Sequence, residues 1–228
     1  MTLDELKLKL EENNIPCNDE QLKLLKDYMD YILTINQEVN LTAITNEEDF
    51  ISKMIFDSAL PLRLTDFNNK KVLDIGTGAG YPGTVIDILT NADVTLLDST
   101  RKKLDVISYF PNRKFKVVCA RAEEYIKEHR EEYDIVIARA VADLKILLEL
   151  AVPFVKVGGY FIAMKGRDYL GELYESTITS TKLKVKYIKV DRVKLEQGEI
   201  RGNILFQKRE ATDKKYPRAY SQIIKKPL

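Results

Sequence analysis

Apolar positions in the first 64 residues recur at the spacing of amphipathic helices. The clearest run consists of Leu22, Leu25, Met29, Ile32 and Leu33. Residues at this spacing share one face of a helix, and Asn18 or Asp19 stands before them as a candidate N-cap. The run therefore predicts a long helix that turns one apolar face toward a core.

Two further helices are predicted on either side of this one. The earlier helix is indicated by leucines among acidic and lysine residues, at Leu3, Leu6, Leu8 and Leu10. The pattern breaks at Asn40, and a third helix is predicted from Asn46. It carries three large apolar residues toward a core, Phe50, Met54 and Leu60. We predict that residues 1–66 form a helical region packed on the rest of the chain.

From residue 70 onward short apolar runs alternate with amphipathic segments. The apolar runs predict five strands, Lys71 to Ile75, Val94 to Asp98, Phe115 to Cys119, Tyr133 to Ala138 and Gly159 to Lys165. Helices are predicted between them near residues 83–90, 101–109, 123–130 and 143–152. Strands that alternate with helices form a parallel sheet with right-handed crossovers. This part of the chain is therefore predicted to be a doubly wound α/β domain.

The last two strand-like runs are predicted to pair in an antiparallel way. Val185 to Leu195 and Gly202 to Gln207 are joined by the turn-like residues 196–199. A connection this short joins antiparallel strands. We therefore predict a mostly parallel sheet with an antiparallel C-terminal hairpin, within a domain that spans residues 67–228.

Composition narrows the class of protein. The chain has 228 residues, of which 45% are hydrophobic and 31% are charged, as in globular proteins. The first residues are charged, and 18 apolar residues never follow one another, so we expect a cytoplasmic protein. Cys17 and Cys119 are too far apart for a CxxC metal motif, and a single histidine, His129, argues against zinc sites and catalytic triads.

The net charge of +1 hides an uneven distribution. The segment from residue 208 to the end contains two acidic and seven basic residues. The basic residues are Lys208, Arg209, Lys214, Lys215, Arg218, Lys225 and Lys226. A basic tail is typical of proteins that contact nucleic acid, although it also serves solubility.

The segment from Val72 to Gly83 carries the most specific signal, since an apolar strand runs there into four of the chain's ten glycines. Glycines at the end of the first strand of such a sheet let a ligand approach the backbone closely. A dinucleotide fingerprint beginning at Gly76 would need glycine at position 81, where the chain has Tyr81. Pro82 also removes an amide that a pyrophosphate would use. The spacing therefore favours a nucleotide-like ligand other than NAD.

Further candidate residues follow the other predicted strands. Asp98 ends the second strand, where a carboxylate accepts hydrogen bonds from a ribose. Ala122 and Glu123 follow the third strand, at the position expected for an adenine edge. Asp98 and Glu123 are also ordinary residues at helix starts. Arg139 is different, because an arginine at the end of a buried strand needs a partner or a ligand.

Taken together, the motifs resemble one family over nearly the whole chain, the bacterial small-subunit ribosomal RNA guanine-N7 methyltransferases (glucose-inhibited division protein B). The resemblance rests on residues 40–44, Asp57-Ser58, 74–83, 97–99, 102–103, 121–124, 139–142, 156–159, 165–166, 215–218 and 225–228. The family typically has a histidine three residues before the Asp-Ser pair, where this chain has Met54. A function that needs an imidazole at that position is not carried over.

The resemblance implies a class I methyltransferase (Rossmann-like) fold and S-adenosylmethionine as the cofactor. The residues it assigns to the cofactor are Gly76, Tyr81, Ala122, Glu123 and Arg139, with Asp98 near the ribose. The glycine loop adds Gly78 and Gly80 to the predicted cofactor site. It also implies a guanine of small-subunit ribosomal RNA, free or in the 30S subunit, as the substrate. Guanine N7 has a lone pair and no hydrogen, so in-line methyl transfer needs no general base.

Arg139 and Lys165 are the candidate catalytic residues, as donors to guanine O6 or to a neighbouring phosphate. We expect no metal, no membrane association and a monomer. Other readings remain open at this point. The same cofactor site serves other acceptors, and a non-catalytic RNA-binding assembly factor could retain the fold.

Overall fold

A seven-stranded sheet organises the computed structural model, which describes residues 1–111, 113–139 and 141–228. Ala140, in the motif that follows the fourth strand, lies outside the described residues. The strands are β1 (Lys71–Ile75), β2 (Asp93–Asp98), β3 (Lys116–Cys119), β4 (Tyr133–Arg139), β5 (Val155–Lys165), β6 (Val185–Lys194) and β7 (Ile200–Lys208). Their order is β3-β2-β1-β4-β5-β7-β6, and β7 runs antiparallel to both of its neighbours. The predicted mostly parallel sheet with an antiparallel hairpin is confirmed.

The predicted strand limits agree closely with the structure, except at β5. This strand begins at Val155, four residues before the predicted Gly159. The ladder between β4 and β5 shifts register after Tyr133, and Gly158 has a positive φ of 86°. A glycine in this conformation bends the strand without ending it, because it has no Cβ to clash.

Helices cover both faces of the sheet. They are α1 (Leu3–Glu12), α2 (Asp19–Val39), α3 (Glu47–Phe50), α4 (Asp57–Ala59), α5 (Gly83–Leu89), α6 (Arg101–Ser108), α7 (Ala122–Tyr125), α8 (Leu144–Ala151), α9 (Tyr169–Glu175), α10 (Thr177–Lys182) and α11 (Tyr220–Lys225). The helix predicted near 123–130 was too long, since α7 ends at Tyr125. No helix was predicted at α9, α10 or α11, which are six or seven residues long. Such short helices depend on tertiary packing more than on their own propensity.

The N-terminal helices begin at capping boxes. Thr2 and Glu5 form one at α1, and Asn18 and Gln21 form one at α2, which confirms Asn18 as a cap. Their apolar faces join the same hydrophobic cluster as α5 and one face of the sheet. Leu8 is an exception, since its side chain is 60% exposed. The helical region therefore packs directly on the sheet, while a domain limit at residue 66 remains a prediction.

The third predicted helix is a continuous helical segment of mixed type. It begins at the cap Asn46, passes from α3 through a π-helical stretch (Ile51–Phe56) into α4, and ends in a 3-10 turn (Leu60–Arg63). Phe50, Met54 and Leu60 are buried, as predicted. A π-helical stretch widens the helix and often lies beside a functional site.

The pleat of the sheet separates two groups of side chains. Ile135 and Ile137 of β4 belong to the cluster under the N-terminal helices, whereas Val136 and Ala138 belong to the cluster under α8. Successive strand residues point to opposite faces. Arg139 therefore points toward the N-terminal helices, where its hydrogen-bond partners lie.

The C-terminal tail is part of the folded domain, and two of its basic residues are used internally. Lys208 is fully buried and pairs with Glu131 at 2.8 Å. Arg218 binds the fully buried Glu149 of α8 through its backbone N–H, Nε and Nη2. Ile223 of α11 packs on α8 as well. These contacts fix the tail along α8.

We expect Arg218→Ala to lower the free energy of unfolding by about 3 kcal/mol, because it leaves the buried carboxylate of Glu149 without its cation. Lys116→Ala is the matched control, since it breaks an exposed ion pair with Asp93 and should cost at most about 1 kcal/mol. Urea denaturation followed by circular dichroism measures both. Equal losses in the two variants would show that the Arg218 pair does not hold the tail.

Candidate functional site

The glycine loop after β1 is held by the sheet on one side and by α2 on the other. The N–H groups of Gly76 and Thr77 donate to the carbonyl of Leu97 in β2. Tyr28 of α2 donates its hydroxyl to the carbonyl of Ala79 at 2.8 Å. A Cβ on Gly80 would lie 2.2 Å from the Tyr28 hydroxyl, and φ at this residue is +88°. Only glycine therefore fits at position 80 while α2 stays in place.

Asp74 supports the loop from below. One carboxylate oxygen accepts the hydroxyl of Thr77 at 2.6 Å and the N–H of Gly83 at 2.8 Å. The other oxygen is buried and has no hydrogen-bond partner among the described residues. Burial raises the pKa of Asp74 to about 6, and the two hydrogen bonds only partly oppose this effect. The loop thus rests on a carboxyl group that is costly to ionise.

Asp98 links the loop to β2. Its carboxylate accepts the N–H of Gly78 at 2.9 Å and the N–H of Thr100 at 2.8 Å. The second contact is the local turn expected of an aspartate before a helix, and the first reaches across to the glycine loop. Asp98 therefore holds both its own turn and the glycine loop.

A cleft of about 290 Å³ opens along this edge of the sheet. Four of the predicted cofactor residues line it, Gly76, Asp98, Ala122 and Glu123. Its other walls are mostly apolar, and they include Ile75, Leu97, Val141, Leu150 and Tyr220. The volume is near the lower end for small-molecule sites, and the combination of apolar walls with a few polar groups is typical of them.

The cleft fits an adenosine group. A Cβ on Gly76 would lie 2.6 Å from Val141, so the backbone there has no room for a side chain. Apolar walls suit a flat purine ring, and the carboxylates of Asp98 and Glu123 are acceptors for hydroxyl or amino groups. Ala122 is the first residue of α7, so its N–H has no hydrogen-bond acceptor within the helix.

Arg139 lies outside this cleft, on the side of the N-terminal helices. Its Nη1 donates to the carbonyl of Lys53 at 3.1 Å, and its Nη2 donates to the sulfur of Met54 at 3.3 Å. The guanidinium lies 5.8 Å from the ring centre of Tyr81 and 3.8 Å from the carboxylate of Asp57. The expected partner of this buried arginine is therefore the helical segment that begins at Asn46.

Asp57 binds a second arginine from the hairpin. The Nε of Arg201 in β7 donates to the same Asp57 oxygen at 3.0 Å. Burial raises the pKa of Asp57, and the charges of Arg201 and Arg139 act in the opposite direction. A nearly buried carboxylate thus joins β4, β7 and the helical segment at one point.

The structure does not bring Lys165 next to Arg139. Arg139 is opposite Met164 in the ladder, so Lys165 points to the other face of the sheet. There its ammonium lies 2.6 Å from the carboxylate of Glu172 and donates to the carbonyl of Ala142 at 2.7 Å. Lys165 thus holds the segment that follows β4.

Three other predicted residues also lie away from the cleft walls. Gly78 and Gly80 belong to the loop itself, and the Tyr81 ring is only 2% exposed, in the core formed with Tyr28 and Phe50. The phenol oxygen of Tyr81 has no hydrogen-bond partner among the described residues.

Four residues of the site were not identified as site residues from the sequence, Asp57, Asp74, Arg201 and Tyr220. The first two lie within recognised motifs, so their position was visible but not their role. Arg201 and Tyr220 reach the site only through long-range packing, and no local pattern marks them.

Two classes of site are not found in the described part of the chain. No group of three or more His, Cys, Asp or Glu side chains is arranged there to hold a metal ion. None of the helices in those residues is long and apolar enough to cross a membrane.

Comparison with known proteins identifies relatives along nearly the full length. A family model described as GidB, rRNA small subunit methyltransferase G, matches residues 21–201. The ribosomal RNA small subunit methyltransferase G of Clostridium botulinum (strain Loch Maree / Type A3) is 37% identical over 224 residues, which cover 94% of each chain. The protein of the same name from Mesoplasma florum is 38% identical and covers 95% of this chain and 94% of its own.

Solved structures agree on the fold. The TYW2 protein of M. jannaschii, solved in complex with AdoMet, matches 73% of this chain and 79% of its own with a TM-score of 0.56 and 14% identity. A ribosomal protein L11 methylase from Lactobacillus delbrueckii subsp. bulgaricus matches 69% of this chain and 79% of its own with a TM-score of 0.53 and 17% identity. At such low identity the likeness concerns the fold alone, and it confirms the expected class I methyltransferase (Rossmann-like) fold.

The raised pKa of Asp74 predicts a pH dependence of stability. Well below pH 3.8 the carboxyl group is protonated in both the folded and the unfolded chain. Between the ordinary pKa of 3.8 and the folded value of about 6, only the unfolded chain ionises, so stability falls as the pH rises. The fall should total about 3 kcal/mol and end above the folded pKa.

Asp74→Asn removes this ionisation while it keeps an oxygen for Thr77 and Gly83. Urea denaturation of both proteins from pH 4 to pH 7 gives the difference in free energy of unfolding. We expect the wild type to lose stability relative to the variant as the pH rises. A difference that stays constant over this range would contradict the raised pKa.

Proposed function

The chain belongs to the family of ribosomal RNA small subunit methyltransferase G, and we propose that it performs the family's reaction with the cleft beside Asp98 and the face around Arg139. This reaction is the S-adenosylmethionine-dependent methylation of N7 of a guanine in 16S ribosomal RNA. The chain is therefore an enzyme, and its substrate is ribosomal RNA.

The cleft that joins Gly76, Asp98, Ala122 and Glu123 is the observation that carries the proposal. Bound there, S-adenosylmethionine supplies a methyl group that a sulfonium centre makes electrophilic. We assign Asp98 to the ribose hydroxyls and the loop at Ala122 and Glu123 to the adenine edge. Gly76 permits the close approach of the ligand to the backbone. Gly78 and Gly80 shape the loop from behind.

The acceptor needs little acid–base chemistry from the chain. Guanine N7 has an in-plane lone pair and carries no hydrogen, so no residue has to remove a proton. The chain's residues then contribute mainly by orientation, which alone accounts for large rate factors. A site built from a glycine loop, carboxylates and an arginine, without histidine, agrees with this requirement.

Arg139 is the group that we assign to the acceptor side. Its side chain is still 17% exposed, although most of it is buried. A guanidinium has five N–H donors, and only some of them are used by Lys53 and Met54. The remaining donors suit guanine O6 or a neighbouring phosphate. Lys165 contributes from the opposite face by holding the segment after β4.

The exposed part of the basic tail supports an RNA substrate. Five of its seven basic residues are exposed, namely Arg209, Lys214, Lys215, Lys225 and Lys226. Contacts of such residues with phosphates supply much of the sequence-independent affinity for RNA.

A ribosomal substrate implies that the reaction takes place in the cytoplasm. A monomer remains our prediction, to be checked by light scattering.

Methyl transfer from labelled S-adenosylmethionine to small ribosomal subunits that lack the modification tests the function. Nucleoside analysis of the recovered RNA should show the label as 7-methylguanosine. Label in a different nucleoside, or in protein, would reject the assigned acceptor. Absence of transfer, despite measurable binding of the cofactor, would favour a non-catalytic assembly factor.

We expect Arg139→Ala to lower kcat by a factor of about 100 or more, because the acceptor base loses the donor that aligns it. The KM for S-adenosylmethionine should change much less, since Arg139 does not line the cofactor cleft. The same labelled assay measures both constants when the RNA is at saturation and the donor concentration is varied.

Arg113→Ala is the control for this variant, because Arg113 does not line the cleft and donates instead to the carbonyls of Ser108 and Phe115. It should keep the kcat of the wild type. Full turnover of Arg139→Ala under saturating conditions would remove Arg139 from the acceptor site.

A further inference from the structure

The tail reaches the cofactor cleft through Tyr220, which is one of the lining residues. It begins α11 and lies at the cleft together with Ala122 and Glu123 from the loop after β3. Tyr220 is 39% exposed. Its ring therefore lies at the mouth of the cleft and is not buried in the core.

The Tyr220 ring lies beside Arg121, at the end of the cleft that we assigned to adenine. The guanidinium carbon of Arg121 lies 6.0 Å from the centre of the Tyr220 ring, within the range of a cation–π contact. Arg121 directly precedes Ala122, to which we assigned the adenine edge. Tyr220 and the loop assigned to adenine therefore lie at the same end of the cleft.

The backbone that carries Tyr220 is fixed on both sides. Two residues before it, Arg218 is bound to the buried Glu149. Three residues after it, Ile223 is fully buried against Ile146 and Leu150 of α8. Leu150 itself lines the cleft. A ring held in this way loses little conformational freedom when a ligand packs against it.

We propose that Tyr220 closes the outer side of the cofactor cleft and packs its ring against the adenine of S-adenosylmethionine. This inference rests on the proposed function, because it takes the cleft to be the cofactor site. A half-exposed aromatic ring beside an apolar slot is a suitable surface for a purine, and such stacking tolerates any base because every base has a flat face.

The alternative is that Tyr220 is only an exposed wall residue, whose ring makes no contact with the ligand. The two cases differ in what removal of the ring does to binding. A wall residue changes neither affinity nor KM. A stacking residue changes the affinity for every ligand that contains adenine, by a similar factor for each.

The test measures binding of S-adenosylhomocysteine and of methylthioadenosine to the full chain by isothermal titration calorimetry. We expect Tyr220→Ala to weaken both ligands about tenfold or more, the usual effect of removing an aromatic ring from a base. Tyr220→Phe should bind like the wild type, and Tyr220→Leu should lie between them. In the transfer assay the KM for S-adenosylmethionine should rise for Tyr220→Ala while kcat at saturation stays within about twofold.

Tyr187→Ala is the matched control, since Tyr187 is 40% exposed and lies on β6 outside the cleft. It should leave both affinities unchanged. Thermal unfolding without ligand separates a folding defect in Tyr220→Ala from a binding defect, and Tyr220→Leu keeps the test open if the alanine variant unfolds.

Equal affinity of Tyr220→Ala, Tyr220→Leu and the wild type would overturn the inference and leave the proposed function intact. Failure of the wild type to bind S-adenosylhomocysteine would overturn the cofactor site itself, and the inference with it. The two failures are therefore distinguishable in one titration series.

Discussion

A cation buried at the end of a central strand has to be compensated, and much of this architecture follows from that requirement. Arg139 ends β4 and points into the side of the sheet that the N-terminal helices cover. Uncompensated burial of a charge is among the most costly events in folding. Asp57, together with the carbonyl of Lys53, supplies the compensation. The helical segment is therefore bound to the sheet by an electrostatic need as well as by its apolar face.

This compensation does not depend on position 54, where the family resemblance led us to expect histidine and the chain has methionine. The sulfur of Met54 accepts one N–H of Arg139, as a weak acceptor. The stronger partners of Arg139 are the Lys53 carbonyl and the Asp57 carboxylate, and neither depends on the side chain at position 54. An imidazole at this place is therefore dispensable for holding the arginine.

The sequence predicted the sheet well and the site only in part, for physical reasons. Strands can be predicted from local apolar runs, and the glycine loop and Asp98 lie at the ends of those runs. Whether Arg139 and Lys165 lie on the same face depends on the register between β4 and β5. This register cannot be predicted from the local spacing of residues in the sequence. Helices such as α10 consist of weak helix formers and exist because α8 and β6 pack against them. Tyr220 reaches the cleft only because distant residues anchor the tail.

The tail shows why charge counted along a sequence is an incomplete guide to partners. Lys208 and Arg218 belong to the basic run, yet both neutralise carboxylates of the chain itself, Glu131 and Glu149. Their charge stabilises the fold and is not available to phosphates. The exposed lysines that remain flank the segment that carries Tyr220. A phosphate backbone bound by Lys225 and Lys226 would contact the same anchored segment that carries Tyr220 to the cleft.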